Sequence, residues 1–167
     1  ALDKQGLETV SEPAGFKISA ADVGFRALET TPGLLSETGR TRAMIKIQEG
    51  CDQVCAYCIV PKVRGRERSI PVADLISQIK KCQDRGFQEV VLTGTQLGSY
   101  GFDLPGSDLE SLLAAILAQT SMPRIRVSSL QAQELSAGLL DLWQDKRLCP
   151  HFHIPLQSGS DQVLRPM

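Results

Sequence analysis

Short apolar segments alternate with longer amphipathic segments along most of the sequence, and this alternation limits the folds that the chain can adopt. The apolar segments have the length and the β-branched content of strands, and they cover residues 43–48, 88–93, 124–129 and 151–156. The strand–helix order repeats and ends on a strand, which implies right-handed crossovers between parallel strands. We therefore predict an α/β fold in which about four parallel strands with crossover helices form part of a barrel or an open sheet.

The amphipathic segments predict three helices. The first begins near Pro71, which suits a first helical turn, and ends near Gly86, which suits a C-terminal cap. The second follows the capping-box spacing of Ser107 and Glu110. A third helix is predicted over residues 134–145. Its inward-facing side chains are predicted to be Leu135, Leu139, Leu140 and Trp143.

Several polar or glycine-rich segments lie at the carboxyl ends of the predicted strands. They are residues 51–58, residues 94–101, the pair Ser128–Ser129, and residues 157–161. The carboxyl ends of parallel strands share one edge of the sheet, and ligands bind along that edge. We therefore predict that these segments converge on one functional site.

Three cysteines, Cys51, Cys55 and Cys58, occupy the first of these segments, and their spacing predicts a metal centre. A mononuclear zinc site usually takes four ligands. His151, His153 or a distant cysteine could supply the fourth, although none is close in the sequence. A 4Fe–4S cluster also usually takes four thiolates. With three, one iron would stay open to an exogenous ligand, as a catalytic cluster requires, and the residue types alone leave both metals open.

The composition predicts a soluble cytoplasmic protein without a strong overall electrostatic field. The chain has 167 residues and a formal net charge of −1, so binding to a polyanion would need a local basic patch. The basic run at residues 62–68 is one candidate. No apolar run approaches the roughly 20 residues of a membrane span, so no membrane partner is predicted. Five cysteines, an odd number, favour metal or redox chemistry over a disulfide framework.

Two regions differ in periodicity, and they predict a simple domain organisation. Residues 1–42 show little periodicity and contain many glycines and prolines among polar residues, which predicts a linker or an irregular lead-in. Residues 43–167 carry the strand and helix patterns and are predicted to form the folded domain.

The cysteine spacing, with Tyr57 before the last thiol, resembles the signature of radical S-adenosylmethionine enzymes. Flanking segments resemble the methylthiotransferase branch of that family, and most closely the enzymes that act on threonylcarbamoyladenosine beside the tRNA anticodon. The segments that carry the resemblance are Ile47–Cys51, Cys58–Pro61, Arg64–Gly65 with Ser69, Val91–Gly94 with Tyr100–Gly101, Arg124–Ser129 and His151–Ser160. The resemblance covers about residues 40–167.

This resemblance implies a partial (β/α) barrel of the radical-SAM type, with residues 43–167 as the N-terminal part of the barrel domain. It implies a 4Fe–4S cluster held by the three cysteines, with S-adenosyl-L-methionine on the open iron. A 5'-deoxyadenosyl radical would then activate an adenine carbon that receives a methylthio group. The implied partners are tRNA as substrate and an electron donor protein. Alternatives are methylthiolation of another tRNA adenosine or of a ribosomal protein, and, in another class, a non-catalytic zinc-binding module.

The resemblance also assigns cofactor-binding residues, although it assigns no catalytic side chain. Gly94 and Thr95 would lie near the methionine end of S-adenosylmethionine. Tyr57 and the backbone around Ile59 and Val60 would lie near its adenine. The candidates for contact with a ribose or with the substrate are Ser128, Ser129 and Gln157.

The sequence departs from the family pattern in two places, and it covers only part of a family member. Gln131 stands where the family usually has an acidic residue, and Pro166 stands where it usually has a basic one. Family members also carry an N-terminal domain with a second cluster and a C-terminal RNA-binding domain. We therefore expect the chain to be a fragment that holds one cluster and does not complete methylthiolation alone.

Overall fold

The computed structural model describes residues 41–53 and 55–167. The lead-in predicted at residues 1–42 lies outside these residues, apart from its last two. The strands are β1 (Arg42–Lys46), β2 (Gln48–Glu49), β3 (Arg68–Ser69), β4 (Glu89–Thr93) and β5 (Arg124–Val127). The α-helices are α1 (Val60–Val63), α2 (Val72–Asp84), α3 (Leu109–Gln119), α4 (Ala137–Asp141) and α5 (Asp161–Leu164). Short 3-10 helices lie at Leu97–Ser99, Ala132–Glu134 and Leu142–Gln144.

Three parallel strands form the main sheet, in the order β1–β4–β5. The β1–β4 register runs from Arg42 opposite Glu89 to Lys46 opposite Thr93, and β5 continues it on the far side of β4. Helix α2 connects β1 to β4, and α3 connects β4 to β5. The predicted α/β class with parallel strands and crossover helices is therefore confirmed, and the loops that follow these strands leave the same edge.

The segment predicted as a fourth strand, residues 151–156, runs parallel to β5 without becoming a regular strand. It is represented by two single bridges, Ile125 with Leu148 and Ser129 with His153. A continuous ladder is prevented because Pro150 and Pro155 have no N–H to donate. The side chain of Leu156 is also 77% exposed, so this part of the segment has no core contact to hold it in place.

Helices α2 and α3 pack their apolar faces on the sheet, as their three- and four-residue spacing predicts. The buried positions of α2 are Leu75, Ile76 and Ile79, and those of α3 are Leu109, Leu112, Leu113 and Ile116. The capping box of α3 was predicted one residue too early. Asp108 is the N-cap and accepts a hydrogen bond from the Ser111 amide at 2.7 Å, while Ser111 Oγ accepts one from the Asp108 amide.

The third predicted helix, residues 134–145, is broken into shorter pieces. Ser136 Oγ accepts a hydrogen bond from the Leu139 amide at 2.9 Å, so Ser136 begins α4 as its N-cap instead of continuing a helix. Leu139 is buried as predicted, but Leu140 is exposed. The prediction that Leu140 faces inward was therefore wrong, because the break changes which positions share a face.

The core lies between one face of the sheet and the helices. Alternate strand residues enter it, and they include Ile45, Val90, Leu92, Ile125 and Val127, all buried. Burying such side chains stabilises the fold by about 1.5–3 kcal/mol each relative to exposure. In residues 41–53 and 55–167 no helix has the length and apolarity needed to cross a membrane.

A charged cluster centred on Glu89 lies on the opposite face, where β4 begins. The Glu89 side chain is only 6% exposed, and it accepts hydrogen bonds from Arg126 at 2.9 Å and Arg124 at 3.1 Å. Arg42 lies 3.3 Å from the same carboxylate. Glu89 therefore links the first residues of all three strands. Burial raises the pKa of Glu89, but the hydrogen bonds from Arg126 and Arg124 outweigh it and lower that pKa below its usual value.

We expect Glu89→Gln to lower the free energy of unfolding by about 2 kcal/mol at neutral pH, because it removes hydrogen bonds between charged partners. The folded-state pKa of Glu89 lies below the unfolded one. Its stabilisation is therefore present above the unfolded value, about 4.3, and is lost as the pH falls through the folded value. Urea unfolding across this range should show a smaller pH dependence in Glu89→Gln. The exposed Asp141→Asn is the control, and an equal loss in both variants would contradict the role of Glu89.

Candidate functional site

The three cysteines lie on one closed excursion of the chain, which we call the cysteine excursion (residues 50–67). Its base is a small antiparallel ladder in which β2 pairs with β3. The Cys51 amide also donates to the Gly65 carbonyl at 3.2 Å, across the base. Because β2 follows β1 directly, the excursion stands at the carboxyl edge of the sheet, where the sequence predicted it.

Gly50 allows the chain to leave β2 and enter the excursion. Its φ is +79°, in the left-handed region that glycine adopts most easily. A Cβ atom at this position would lie 2.0 Å from the carbonyl oxygen of Arg66. Both the backbone conformation and the close approach of the returning chain therefore require glycine here.

Hydrogen bonds and an ion pair connect the two ends of the excursion. The Asp52 carboxylate lies 3.2 Å from Arg66 NH2 and 3.3 Å from the Glu67 amide, while the Asp52 amide donates to Glu67 Oε1 at 3.4 Å. The hydrogen bond from Arg66 lowers the pKa of Asp52. Glu67 is buried, so these contacts anchor the start of the cysteine segment to the base of the excursion.

The thiols differ in their surroundings. Cys51 is half-buried, whereas Cys55 and Cys58 are exposed. The Gln53 amide lies 3.4 Å from Cys51 Sγ. Burial raises the pKa of Cys51 and outweighs that hydrogen bond, and Glu67 and the other two thiols raise it further. A bound metal cation would oppose this shift, because it stabilises the thiolate form.

The donor set fits an iron–sulfur or zinc centre by its chemistry, although the thiols do not converge on one point. Within the part of the chain that the structure describes, no group of three His, Cys, Asp or Glu side chains is arranged to hold a metal ion. Three soft thiols on a single loop, two of them open to solvent, nevertheless match the ligands that iron–sulfur clusters and zinc prefer.

Two predicted cofactor residues from opposite ends of the domain meet at the cysteine excursion. Tyr57 donates from its hydroxyl to Gln157 Oε1 at 2.8 Å, although 100 residues separate them. Gln157 has a φ of +63°, an uncommon conformation for a residue with a side chain. The Ala56 amide also donates to the Met167 carbonyl at 3.1 Å. The chain that follows β5 therefore returns to the cysteines.

Ile59 is the N-cap residue of α1, next to the last cysteine. Its carbonyl accepts hydrogen bonds from the amides of Lys62 and Val63, at 3.0 and 3.1 Å, at the start of α1. Its side chain is exposed beside the last cysteine. The Ile59 carbonyl is therefore occupied within the first turn of α1, while its apolar side chain is open to solvent.

Gly94 and Thr95 lie where β4 ends, next to the start of the cysteine excursion. A Cβ atom on Gly94 would lie 3.0 Å from the Gln48 carbonyl and 3.2 Å from Gln48 Oε1, so this glycine has a packing reason. The Thr95 amide donates to Gln48 Oε1 at 3.0 Å. Thr95 Oγ1 is buried and has no hydrogen-bond partner among residues 41–53 and 55–167. An orphaned hydroxyl at this edge is the feature that a polar ligand would satisfy.

Ser128 and Ser129 lie just beyond β5, on the same edge. The Ser128 amide donates to the Leu92 carbonyl at 3.2 Å and so extends the ladder with β4. Ser129 is exposed, and its Oγ lies 2.6 Å from His153 Nδ1. Ser129 is therefore paired with the segment that leads to Gln157.

The sequence patterns missed a partly buried hydrogen-bond network that links the loops after β4 and β5. Gln96 Oε1 accepts from Gln131 Nε2 at 3.0 Å, and Gln96 Nε2 donates to Glu134 Oε1. Glu134 Oε2 accepts from the Gln131 amide at 2.7 Å. The amide at Gln131, a departure from the family pattern, therefore has a structural use, because a carboxylate there could not donate to Gln96.

Gln48 connects this network to the cysteine excursion. Its Nε2 donates to the Gly50 carbonyl at 2.8 Å, and its Oε1 accepts from the Gln96 amide at 2.9 Å as well as from Thr95. The only sequence signal for Gln48 was a polar residue directly after a buried isoleucine at the end of a predicted strand. That signal does not distinguish a buried amide from a solvated one.

The parallel sheet, the crossover helices and the three-cysteine loop at its carboxyl edge together define a partial barrel of the radical-SAM type. The sequence matches the Radical SAM superfamily over residues 45–167, and the chain belongs to that family.

Two relatives are named as tRNA-modifying enzymes. The chain is 40% identical over 155 residues to the threonylcarbamoyladenosine tRNA methylthiotransferase MtaB of Rickettsia prowazekii, covering 90% of this chain and 37% of that protein. It is 34% identical over 163 residues to the tRNA-2-methylthio-N(6)-dimethylallyladenosine synthase of Chlorobium luteolum, covering 96% and 36%. The chain therefore spans little more than a third of the length of these curated relatives.

A solved structure supports the fold independently. The radical S-adenosylmethionine methyltransferase TsrM from Kitasatospora setae, bound to tryptophan and the SAM analogue aza-SAM, superposes with a TM-score of 0.58. The match covers 74% of this chain and 23% of TsrM, at 16% sequence identity. At that identity the likeness shows the shared fold alone.

Proposed function

We propose that this chain is part of a radical-SAM methylthiotransferase that adds a methylthio group to threonylcarbamoyladenosine next to the tRNA anticodon. The observation that carries the proposal is the triplet Cys51, Cys55 and Cys58 on the excursion after β1, in a chain 40% identical over most of its length to an enzyme named for this reaction. Residues 43–167 would form the N-terminal part of the barrel domain, and residues 1–42 a linker to it.

The three cysteines would hold a 4Fe–4S cluster, and S-adenosyl-L-methionine would bind beside it. When bound, these groups supply the one-electron radical chemistry. The protein's contribution is orientation. Thr95, the second residue beyond β4, carries a hydroxyl with no hydrogen-bond partner among the described residues, and this hydroxyl would bind the methionine end of the cofactor. Tyr57, held by Gln157, and the exposed side chain of Ile59 would flank the adenine.

Ser128, Ser129 and Gln157 would contact the ribose or the substrate. Ser128 lies one residue beyond β5 and is half-buried. Ser129 is held by His153, so its remaining hydrogen-bonding capacity would be directed by that pairing. The bond between Tyr57 and Gln157 would keep the returning chain near the cysteines.

Surface charge supports an RNA substrate. The cysteine excursion and β3 together carry Lys62, Arg64, Arg66 and Arg68, all exposed, in a chain whose net charge is −1. The Arg66 side chain is 89% exposed although it pairs with Asp52. Cations beside the thiols could bind phosphates near the reacting nucleoside. The exposure of Cys55 and Cys58 would also let an electron donor protein approach, and both partners are consistent with a cytoplasmic enzyme.

We expect cells that lack the gene to lose methylthio-threonylcarbamoyladenosine from their tRNA, and to regain it when the whole natural gene is restored. Nucleoside mass spectrometry on total tRNA makes the measurement. Retention of this nucleoside with loss of the methylthio-dimethylallyl nucleoside would assign the sister specificity instead. Unchanged pools of both would overturn the tRNA proposal and direct attention to a ribosomal protein substrate.

A further inference from the structure

Gln48 is fully buried, and both the nitrogen and the oxygen of its side-chain amide form hydrogen bonds. The amide nitrogen donates to the Gly50 carbonyl at 2.8 Å, at the entrance to the cysteine excursion. The amide oxygen accepts from the amides of Thr95 and Gln96, at 3.0 and 2.9 Å, at the start of the loop that follows β4. One side chain therefore joins the loop that carries the thiols to the loop that carries Gly94 and Thr95.

The orientation of this amide is fixed by its partners. A flipped Gln48 would bring its NH2 group against two N–H donors and its oxygen against a carbonyl, so the alternative is strongly disfavoured. Gly94 allows the contact to be this close, since any Cβ would press on Gln48 at 3.0–3.4 Å. Gln96 extends the connection to Gln131 and Glu134 beyond β5. The bridge therefore continues across the carboxyl edge, from the cysteine excursion to the loop after β5.

We infer that Gln48 is a positioning residue, which sets the separation of the cysteine excursion and the Gly94–Thr95 turn so that S-adenosylmethionine can contact both. The inference rests on the proposed function, which places the cofactor between these two loops. Gln48 itself stays buried and touches neither thiol nor cofactor. Its loss should therefore weaken cofactor binding and leave the three metal ligands in place.

The test uses the whole natural protein, reconstituted anaerobically with iron and sulfide. Gln48→Met keeps the length of the side chain and removes all three hydrogen bonds. Gln48→Glu keeps an acceptor for the Thr95 and Gln96 amides and, when ionised, loses the donor to Gly50. We expect Gln48→Met to bind S-adenosylmethionine about tenfold more weakly, the size of an unmade buried hydrogen bond, at unchanged iron content. Gln48→Glu should lose less affinity.

The readouts are the dissociation constant of S-adenosylmethionine, iron per chain, and hydrogen exchange at the Thr95 and Gln96 amides. These amides should exchange faster in Gln48→Met and stay protected in Gln48→Glu. Gln83→Met is the control, because Gln83 is a half-buried glutamine that donates to Ser121 Oγ at 2.7 Å, between α2 and the residues that follow α3.

Each outcome has a definite meaning. Cofactor affinity within twofold of the wild type in both Gln48 variants overturns the inference, and so does an equal loss in Gln83→Met. Loss of iron from both Gln48 variants would also overturn it, because Gln48 would then support the excursion as a whole. Failure of the wild-type protein to take up iron or to bind S-adenosylmethionine would instead overturn the proposed function.

Discussion

Replacing Cys55 by Ala is expected to abolish assembly of the iron–sulfur cluster. Two remaining thiols cannot hold a cluster that usually takes four thiolates and that here would have only three. Anaerobic reconstitution followed by iron and sulfide analysis should give about four irons per chain for the wild type. The iron content of Cys55→Ala should be close to zero. The electron-spin signal that S-adenosylmethionine perturbs in the wild type should be absent from the variant.

Cys82→Ala provides the matched control for this experiment. Cys82 is half-buried on α2 and packs against the core, and burial raises its pKa, so it behaves as a small apolar residue. Its replacement should leave the iron content unchanged. A full cluster in Cys55→Ala would show that the ligands are misassigned. One tightly bound zinc in the wild type, with no response to S-adenosylmethionine, would favour the zinc-binding alternative.

The sequence predicted the layered part of the fold because local pattern and burial agree there. Val90 and Leu92 lie in a short apolar run, and a strand that enters the core between two others needs such a run. The apolar spacing of Leu75, Ile76 and Ile79 similarly predicted the buried face of α2. In these segments one arrangement satisfies both the backbone and the side chains.

The segments that were predicted less well depend on competition between local and distant contacts. Ser136 can either continue a helix or cap a new one, and the spacing of the apolar residues does not decide between them. Residues 151–156 have the composition of a strand, but the prolines that flank and interrupt them leave only isolated bridges to β5. In both cases hydrogen-bonding capacity overrides the apolar pattern.

The candidate site shows the same contrast between features set by local sequence and features set by distant contacts. The thiols and Gly94 could be found in the sequence because their spacing is local. The contact of Tyr57 with Gln157 and the bridge made by Gln48 join residues that are far apart in the chain. A glutamine has no characteristic periodicity, so its burial and its partners become visible only when the loops after the three strands are brought together.

The cysteine excursion depends on its glycine entrance, and Gly50→Ala is expected to cost at least about 3 kcal/mol of the free energy of unfolding. An alanine would pay for the left-handed backbone, about 1–2 kcal/mol, and would also force its Cβ against the Arg66 carbonyl, 2.0 Å away. Urea unfolding gives the stability, and iron content after reconstitution gives the effect on the thiols, which should also fall. Gly65→Ala is the matched control, since Gly65 has a φ of +74° but, among the described residues beyond its chain neighbours, no atom lies within 4 Å of a Cβ, so it should lose only the backbone contribution. Equal losses in the two variants would mean that the returning chain moves away freely at Gly50. The closed base of the excursion would then have no part in presenting the cysteines.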